Sequence, residues 1–141
     1  MTRGWKLGLI AALAMAPLQA SAFRAWNQHD VVEVSPGVIE VVSRVGSASL
    51  DFWCGAGDYA RRVWNIRRNP PIYIVSPLGP STVKQGYKAV QFSLTEPPSG
   101  AVSPSFTISV TRVGENMGVS FAEGYCRDSE FYFLFPAGGN R

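Results

Sequence analysis

The sequence has few of the residues from which catalytic and metal sites are most often built. Among its 141 residues it has one histidine, His29, and two cysteines, Cys54 and Cys126. A zinc site takes three or four ligands at suitable spacing, and one histidine with two cysteines that we expect to pair supplies no such cluster. The glycines of Gly55-Ala56-Gly57 lie inside a helical pattern rather than between a strand and a helix, so they do not predict a phosphate-binding loop. We therefore expect no metal site and no cofactor.

An excess of charge of one sign is also lacking once the N-terminus is set aside. The chain has 13 Lys and Arg against 10 Asp and Glu. Arg3 and Lys6 belong to a predicted export signal, and without them 11 basic residues face 10 acidic ones, a net charge of +1. Nucleic-acid binding usually depends on a clear excess of Lys and Arg, so we expect no nucleic-acid partner. The composition, 46% hydrophobic and 16% charged, is typical of a folded domain.

Residues 1–22 have the layout of an export signal. Two basic residues precede an apolar stretch over 7–18, and Ala20-Ser21-Ala22 places small residues where signal peptidase cleaves. The apolar stretch, about 12 residues, is shorter than the roughly 20 that a membrane span needs, and no second long apolar run follows. We predict a signal peptide at 1–22 and a single exported domain at 23–141, which is periplasmic or secreted and not an integral membrane protein.

The two cysteines predict one disulfide bond. In an oxidising compartment, two cysteines in a small domain most often pair. Cys54 and Cys126 are separated by 72 positions. Closing a loop of that length stabilises a fold by roughly 4 kcal/mol on the chain-entropy model.

Residues 49–64 predict a helix that is mostly buried. Ser49 is a suitable N-cap and Asp51 suits the first turn, and apolar residues cover more than half of the circumference. Gly55 and Gly57 each lower helix propensity by roughly 1 kcal/mol relative to alanine. We therefore expect a sheet or another backbone to approach closely at these glycines.

The same helix carries the run Phe52-Trp53-Cys54-Gly55-Ala56-Gly57-Asp58-Tyr59. This aromatic-Trp-Cys-x-Ala-Gly-Asp-aromatic pattern resembles that of uncharacterised short exported proteins of Gram-negative bacteria. The similarity extends through the downstream strands to Tyr125-Cys126. The resemblance implies an exported family without an assigned activity, and it transfers no functional residue to this chain.

Most of the remaining sequence predicts strands. Residues 31–34 and 38–45 are rich in β-branched side chains and flank the turn signal Ser35-Pro36-Gly37, so they predict a hairpin. Further strands are expected at 72–75, at 83–94 with Val90, Phe92 and Leu94 on one face, at 105–112, over Met117, Val119 and Phe121, and at 131–135. The segment 105–112 and the strand after it form a second predicted hairpin, and 131–135 belongs inside a sheet or in an interface.

Six or seven strands and one helix predict the α+β class. We expect a single small domain with a mostly antiparallel sheet, one helix packed on a face, and one disulfide that joins the helix to the sheet.

Two kinds of catalysis remain open as an alternative function. Cys54 lies near the start of a helix, where the dipole lowers a thiol pKa, and His29 is available as a base. His29 precedes Cys54, however, in a segment with little predicted structure, and a disulfide would remove the thiol. Glycosidase chemistry needs two carboxylates across a cleft. The acidic candidates are Glu40, Asp51, Asp58, Glu123, Asp128 and Glu130. The alternative function is thus a small periplasmic hydrolase that uses carboxylates or Cys54.

Four arginines at the end of the predicted helix form a candidate anion-binding site. They are Arg61, Arg62, Arg67 and Arg68. Guanidinium groups bind phosphates and carboxylates through paired hydrogen bonds, although cations also complement a solvated helix C-terminus. Trp26 and 131–135 are candidates for a partner surface. We expect a non-enzymatic binding or structural module of the cell envelope, whose partner is an envelope protein or an anionic lipid.

Overall fold

The computed structural model describes residues 21–103 and 105–134, with side chains as far as Arg127. The elements, in chain order, are β1 (Phe23–Arg24), β2 (Asp30–Ser35), β3 (Val38–Val42), α1 (Ser49–Arg62), β4 (Pro71–Pro80), β5 (Lys88–Ser93), β6 (Asn116–Gly118) and α2 (Val119–Leu134). The six strands form one antiparallel sheet in the order β1-β2-β3-β5-β4-β6. Both helices pack against one face of this sheet. The α+β prediction is confirmed.

The predicted hairpin around Ser35-Pro36-Gly37 is confirmed by β2 and β3. Gly37 has a φ of +74°, which the turn requires and glycine adopts without strain. Val31 of β2 pairs with Val41 of β3, and both are buried beneath the helices. Because side chains alternate along a strand, Glu40 points to the opposite face. Strands β4 and β5 confirm the strands predicted near 72–75 and within 83–94.

The core lies between the helix-covered face of the sheet and the two helices. Its fully buried side chains include Val31, Ile39, Val41, Trp53, Ile72, Ile74, Val90, Phe92 and Val119. The Trp53 ring packs edge-on against Phe92 at a centroid distance of 5.0 Å. Its indole N–H donates to the carbonyl of Ser109 at 2.9 Å, so this large side chain is buried with its polar atom satisfied.

The two glycines of α1 confirm the predicted close approaches. A Cβ at Gly55 would lie 2.7 Å from Val41 Cγ1, which places the sheet against the helix there. A Cβ at Gly57 would lie 2.7 Å from the backbone carbonyl carbon of Ala122, which belongs to α2. The N-cap position differs from the prediction, since Ala48 and not Ser49 precedes the first turn. The Asp51 carboxylate accepts the Ala48 N–H at 2.8 Å, so the start of the helix is bonded through Asp51 and not through a serine side chain.

The strand predicted over Met117, Val119 and Phe121 is wrong beyond residue 118. Helix α2 begins at Val119, where Asn69 Oδ1 accepts the Ser120 N–H at 2.8 Å and satisfies a donor of the first turn. Val119 is buried whereas Phe121 is 70% exposed, so the alternation does not mark one face of a strand. The strand predicted at 131–135 is also wrong for residues 131–134, which belong to α2, while Phe135 lies outside the described residues.

The strand predicted at 105–112 does not form. Among the described residues of this segment, Phe106 is fully exposed, Ile108 is exposed, and Val110 is buried, so the three apolar side chains do not share a buried face. The segment passes beside β4 with an isolated backbone bond from the Leu78 N–H to the Val110 carbonyl. An alternating pattern forms a strand only where it pairs along an edge and buries one face, and here one backbone bond to β4 and one buried apolar side chain do not meet that requirement.

The predicted disulfide between Cys54 and Cys126 is present, but it joins the two helices. The Cα atoms of the two cysteines are 4.9 Å apart. Cys126 lies on α2, so the expectation that the bond connects the helix to the sheet is wrong. The second helix, which the alternation over residues 117–121 concealed, is the reason for this difference.

Candidate functional site

Three loops meet at one end of the sheet. They are residues 25–29 between β1 and β2, 43–47 after β3, and 81–87 between β4 and β5. The antiparallel pairing brings them together, because β2 and β5 both begin where β3 ends. Arg24 pairs with Asp30, and Val42 pairs with Ala89. The Ser43 N–H donates to the Lys88 carbonyl at 2.8 Å and extends this junction.

His29 connects the first two loops. Its Nδ1 lies 3.2 Å from the Asn27 carbonyl oxygen and its Nε2 lies 2.7 Å from the Ser47 hydroxyl oxygen, so each ring nitrogen has a polar partner. Ser47 Oγ also accepts the Arg44 N–H at 2.7 Å. Burial lowers the pKa of His29 below its usual value. The expectation of a poorly structured segment around His29 is wrong, because the side chain is buried and bonded at both nitrogens.

Glu40 anchors the third loop on the face of the sheet opposite the helices. Its side chain is 1% exposed. The carboxylate accepts the Thr82 hydroxyl at 2.6 Å, the Thr82 N–H at 3.0 Å and the Gln91 amide at 2.9 Å, and also the Ser81 hydroxyl. Burial acts to raise the pKa of Glu40, but these hydrogen bonds outweigh burial and hold it below its usual value. The loop 81–87 is thereby folded back across β5 onto β3.

Between these loops lies a cavity of about 290 Å³ that we call the cationic groove. Its lining comprises Arg24, Gln28, Asp30, Val42, Ser43, Arg44, Val45, Lys84 and Tyr87. Three of these side chains are cationic and one is a carboxylate. Asp30 lies between two of the cations, with Arg24 Nε at 2.9 Å and Lys84 Nζ at 3.8 Å. The lining therefore has an excess of positive charge. Arg44 Nη1 donates to the Asn27 carbonyl at 3.5 Å, and no carboxylate of the described residues forms an ion pair with Arg44.

The groove is suited to an anion. Arginine offers a planar fork of donors and lysine a compact charge, and both bind phosphate and carboxylate groups. Lys84 Nζ lies 4.1 Å above the centroid of the Tyr87 ring, which holds the ammonium at the mouth of the groove. Because these cations are exposed, we expect an attraction that weakens as salt concentration rises.

The four arginines predicted as an anion site have different surroundings. Arg61 donates to the carbonyls of Ile66 and Arg68 at 2.6 and 2.7 Å, and its Nε lies 3.4 Å from Glu123 Oε2. Arg62 Nε donates to the buried carboxylate of Asp58 at 2.6 Å. These two guanidinium groups are therefore engaged within the protein. Arg67 and Arg68 are exposed, and an anion site that uses them remains a prediction.

Cys54 and Asp58, which were candidates for catalysis, make structural contacts in the described part of the chain. Cys54 is buried and bonded to Cys126, so it offers no thiol as a nucleophile. Asp58 also accepts the Trp26 N–H at 2.9 Å. The side chains of Asp128 and Glu130 lie outside the described residues. Within the described residues, no three His, Cys, Asp or Glu side chains are grouped so that they could hold a metal ion.

Trp26, predicted as part of a partner surface, is 62% exposed. Its ring and that of Phe23 lie on the Arg62 guanidinium, with centroids 5.2 and 4.5 Å away. The other predicted part of this surface, 131–135, has no described side chains. Neither helix in the described portion of the chain has the length and apolar character needed to cross a bilayer.

The cationic groove was not predicted from the sequence. Arg24, Arg44 and Lys84 form no motif in the sequence. Arg24 ends β1, Arg44 follows β3, and Lys84 lies between β4 and β5. The closest local signal is the basic and apolar composition of residues 43–47 and 81–87, which is ordinary for loops. Comparison with models of protein families, with curated proteins and with solved structures finds no match to this chain.

Proposed function

We propose that this chain is an exported, non-enzymatic binding module of the cell envelope, which recognises an anionic partner through the cationic groove. The observation that carries the proposal is the convergence of Arg24, Arg44 and Lys84 around a single carboxylate, Asp30. An open groove with excess positive charge attracts anions over a distance of about 10 Å at moderate salt. The loops that present it are held by hydrogen bonds to Ser47, to Ser81 and to the buried Glu40 carboxylate, which fix the backbone that carries Arg44 and Lys84.

Export and the absence of catalysis have separate support. A disulfide between two core helices favours an oxidising compartment, which agrees with the predicted signal peptide at 1–22. Glu40 and Asp58, two of the acidic candidates, use their carboxylates to hold a loop and an arginine. The hydrolase alternative based on Cys54 lacks its nucleophile as long as the disulfide is formed.

Retention on a sulfated polysaccharide column tests this function. The full chain would be expressed with its predicted signal, and the periplasmic product would be eluted with a salt gradient. We expect the double variant R44Q/K84Q to elute at clearly lower salt than the wild type. The double variant R67Q/R68Q changes the net charge by the same amount at exposed sites outside the groove lining, and it should elute close to the wild type.

Two results would contradict the proposal. Equal shifts in both double variants would show that retention follows net charge, or that Arg67 and Arg68 bind anions as well, and would contradict the groove as the binding site. Recovery of the protein in the cytoplasm, uncleaved and with two free thiols, would refute export. N-terminal sequencing of the periplasmic product, expected to begin at Phe23, and a thiol count provide these readouts.

A further inference from the structure

Exposed apolar side chains stand directly beside the cations of the groove. Val45 follows Arg44 in the loop 43–47 and is fully exposed at 107%. Val83 precedes Lys84 in the loop 81–87 and is 47% exposed. Both loops lie at the same end of the sheet, so two valines and two cations share one surface. An exposed valine at a loop tip is unremarkable alone, but here the apolar and basic residues occur as adjacent pairs on neighbouring loops.

Both loop tips are held in place by hydrogen bonds. In the loop 43–47, Ser47 Oγ accepts the Arg44 N–H and also contacts the Arg44 carbonyl at 2.9 Å. In the loop 81–87, Ser81 Oγ accepts the N–H groups of Val83 and Lys84 at 3.2 and 3.0 Å. The two valines are therefore displayed by ordered backbone, and the entropy lost when they are buried against a partner is small.

We propose that this end of the sheet docks on the surface of an anionic phospholipid bilayer. Arg24, Arg44 and Lys84 would contact headgroup phosphates, while Val45 and Val83 enter the boundary between headgroups and acyl chains. This inference rests on the proposed function and names its partner. Binding of proteins at such surfaces combines buried apolar area with attraction of basic residues to anionic lipids. A free phosphate ion has the same charge as a lipid headgroup, but it has no apolar part that could contact the valines. We therefore favour the bilayer as the partner.

The charged groups around the surface support this charge complementarity. Asp30 is the one carboxylate in the groove lining, and two cations flank it. Glu40 is buried beneath the loop 81–87 and bonded to it, so it does not face the docking surface. Because Asp30 pairs with Arg24 and Lys84, Arg44 is the lining cation that has no ion pair among the described residues, and an anionic bilayer would supply one.

Co-sedimentation with lipid vesicles tests the proposal. The full chain, exported and processed as above, would be mixed at low salt with vesicles of phosphatidylcholine containing phosphatidylglycerol, or of phosphatidylcholine alone. We expect binding to the anionic vesicles only, and weaker binding as salt rises. Each basic residue near an anionic surface contributes roughly fivefold to the partition coefficient, so R44Q/K84Q should bind about 25-fold more weakly. R67Q/R68Q should stay within about twofold of the wild type.

A second pair of variants tests the apolar contribution without any change of charge. V45S removes the fully exposed valine of the loop 43–47, and V63S removes a valine at the C-cap of α1 that is 46% exposed. We expect V45S to weaken vesicle binding severalfold and V63S to leave it unchanged. Thermal unfolding of every variant verifies folding, and V45S at a fully exposed site keeps the proposal testable if R44Q/K84Q is unstable.

The possible outcomes separate the membrane proposal from the function on which it rests. Failure of the wild type to bind anionic vesicles would overturn the membrane as partner, and equal loss in R67Q/R68Q would overturn the groove as the surface that docks on it. Groove-dependent retention on the polysaccharide column would then still support an anionic partner. Binding of inorganic phosphate that depends on Arg44 and Lys84, without vesicle binding, would assign the groove to a soluble phosphate and also overturn the proposal. If the wild type neither binds anionic vesicles nor is retained on the polysaccharide column, the proposed function itself is overturned.

Discussion

Replacement of Gly57 by alanine tests the packing of the two helices. On an open helical site, alanine stabilises a protein by up to about 1 kcal/mol relative to glycine. At Gly57 the new Cβ would lie 2.7 Å from the backbone carbonyl carbon of Ala122 and 2.9 Å from its Cβ. Favourable contact between carbon atoms begins near 3.5 Å, so α2 would have to move away from α1.

The disulfide opposes that movement. Cys54 lies less than one turn before Gly57 on α1, and Cys126 lies about one turn beyond Ala122 on α2. Overpacking in a core costs typically about 1–3 kcal/mol, and a backbone held by a covalent bond has little freedom to adjust. We therefore expect G57A to lower the free energy of unfolding by about 1–3 kcal/mol, in spite of the higher helix propensity of alanine.

Gly124 provides a matched control on α2. A Cβ at this position would have no atom within 4 Å among the described residues, so G124A should raise the free energy of unfolding by up to about 1 kcal/mol. Urea titration of the oxidised proteins, followed by circular dichroism, measures both changes from the midpoint and slope. A G57A variant as stable as the wild type, or more stable, would refute the close helix crossing.

Two further predictions concern the disulfide and His29. Conversion of both Cys54 and Cys126 to alanine should lower the free energy of unfolding by about 4 kcal/mol, because the unfolded chain gains the freedom that the closed loop removes. Stability should also fall as pH drops from about 7 to about 5, since the unfolded chain takes up a proton near pH 6.5 that the buried, lowered-pKa imidazole of His29 resists. Urea midpoints measure both effects.

Each of these two predictions can be checked against a second sample of the protein. Wild type with the disulfide reduced should lose about as much stability as the double cysteine variant, and an undiminished midpoint after reduction would contradict the role of the disulfide. For His29, the variant H29Q should lose the part of the pH dependence between pH 7 and 5 that the imidazole contributes. An identical slope in H29Q and wild type would assign the pH dependence to other groups.

Local sequence patterns were sufficient where neighbouring residues decide the structure. The turn residues Ser35-Pro36-Gly37 between two β-branched runs predicted the β2–β3 hairpin, and the apolar periodicity of 49–64 predicted α1. Gly55 and Gly57 also indicated close packing. Glycine lowers helix propensity, so its presence twice inside a helix is best explained where a larger side chain would not fit. These patterns depend on interactions within one helical turn or one hairpin, so they can be interpreted without knowledge of the rest of the fold.

The same patterns misled where a segment depended on its partners. Residues 117–121 fit a two-residue period, but Val119, Ala122 and Cys126 also fit a helix, and only the contact with α1 selects the second arrangement. The alternating segment 105–112 makes a single backbone bond to β4, at Leu78, and of its three apolar side chains only Val110 is buried. A strand obtains its hydrogen bonds from other parts of the chain, whereas a helix supplies its own, so strand predictions depend most on tertiary context.

The sequence by itself therefore determined the hairpin, the first helix, the pairing of the two cysteines and the class of the fold. The tertiary structure alone decided that the disulfide joins two helices and that Arg24, Arg44 and Lys84 share a groove. The physical reason is the range of the interactions. Helix periodicity and turns are set by adjacent residues, while a groove arises from antiparallel pairing that brings the ends of different strands together.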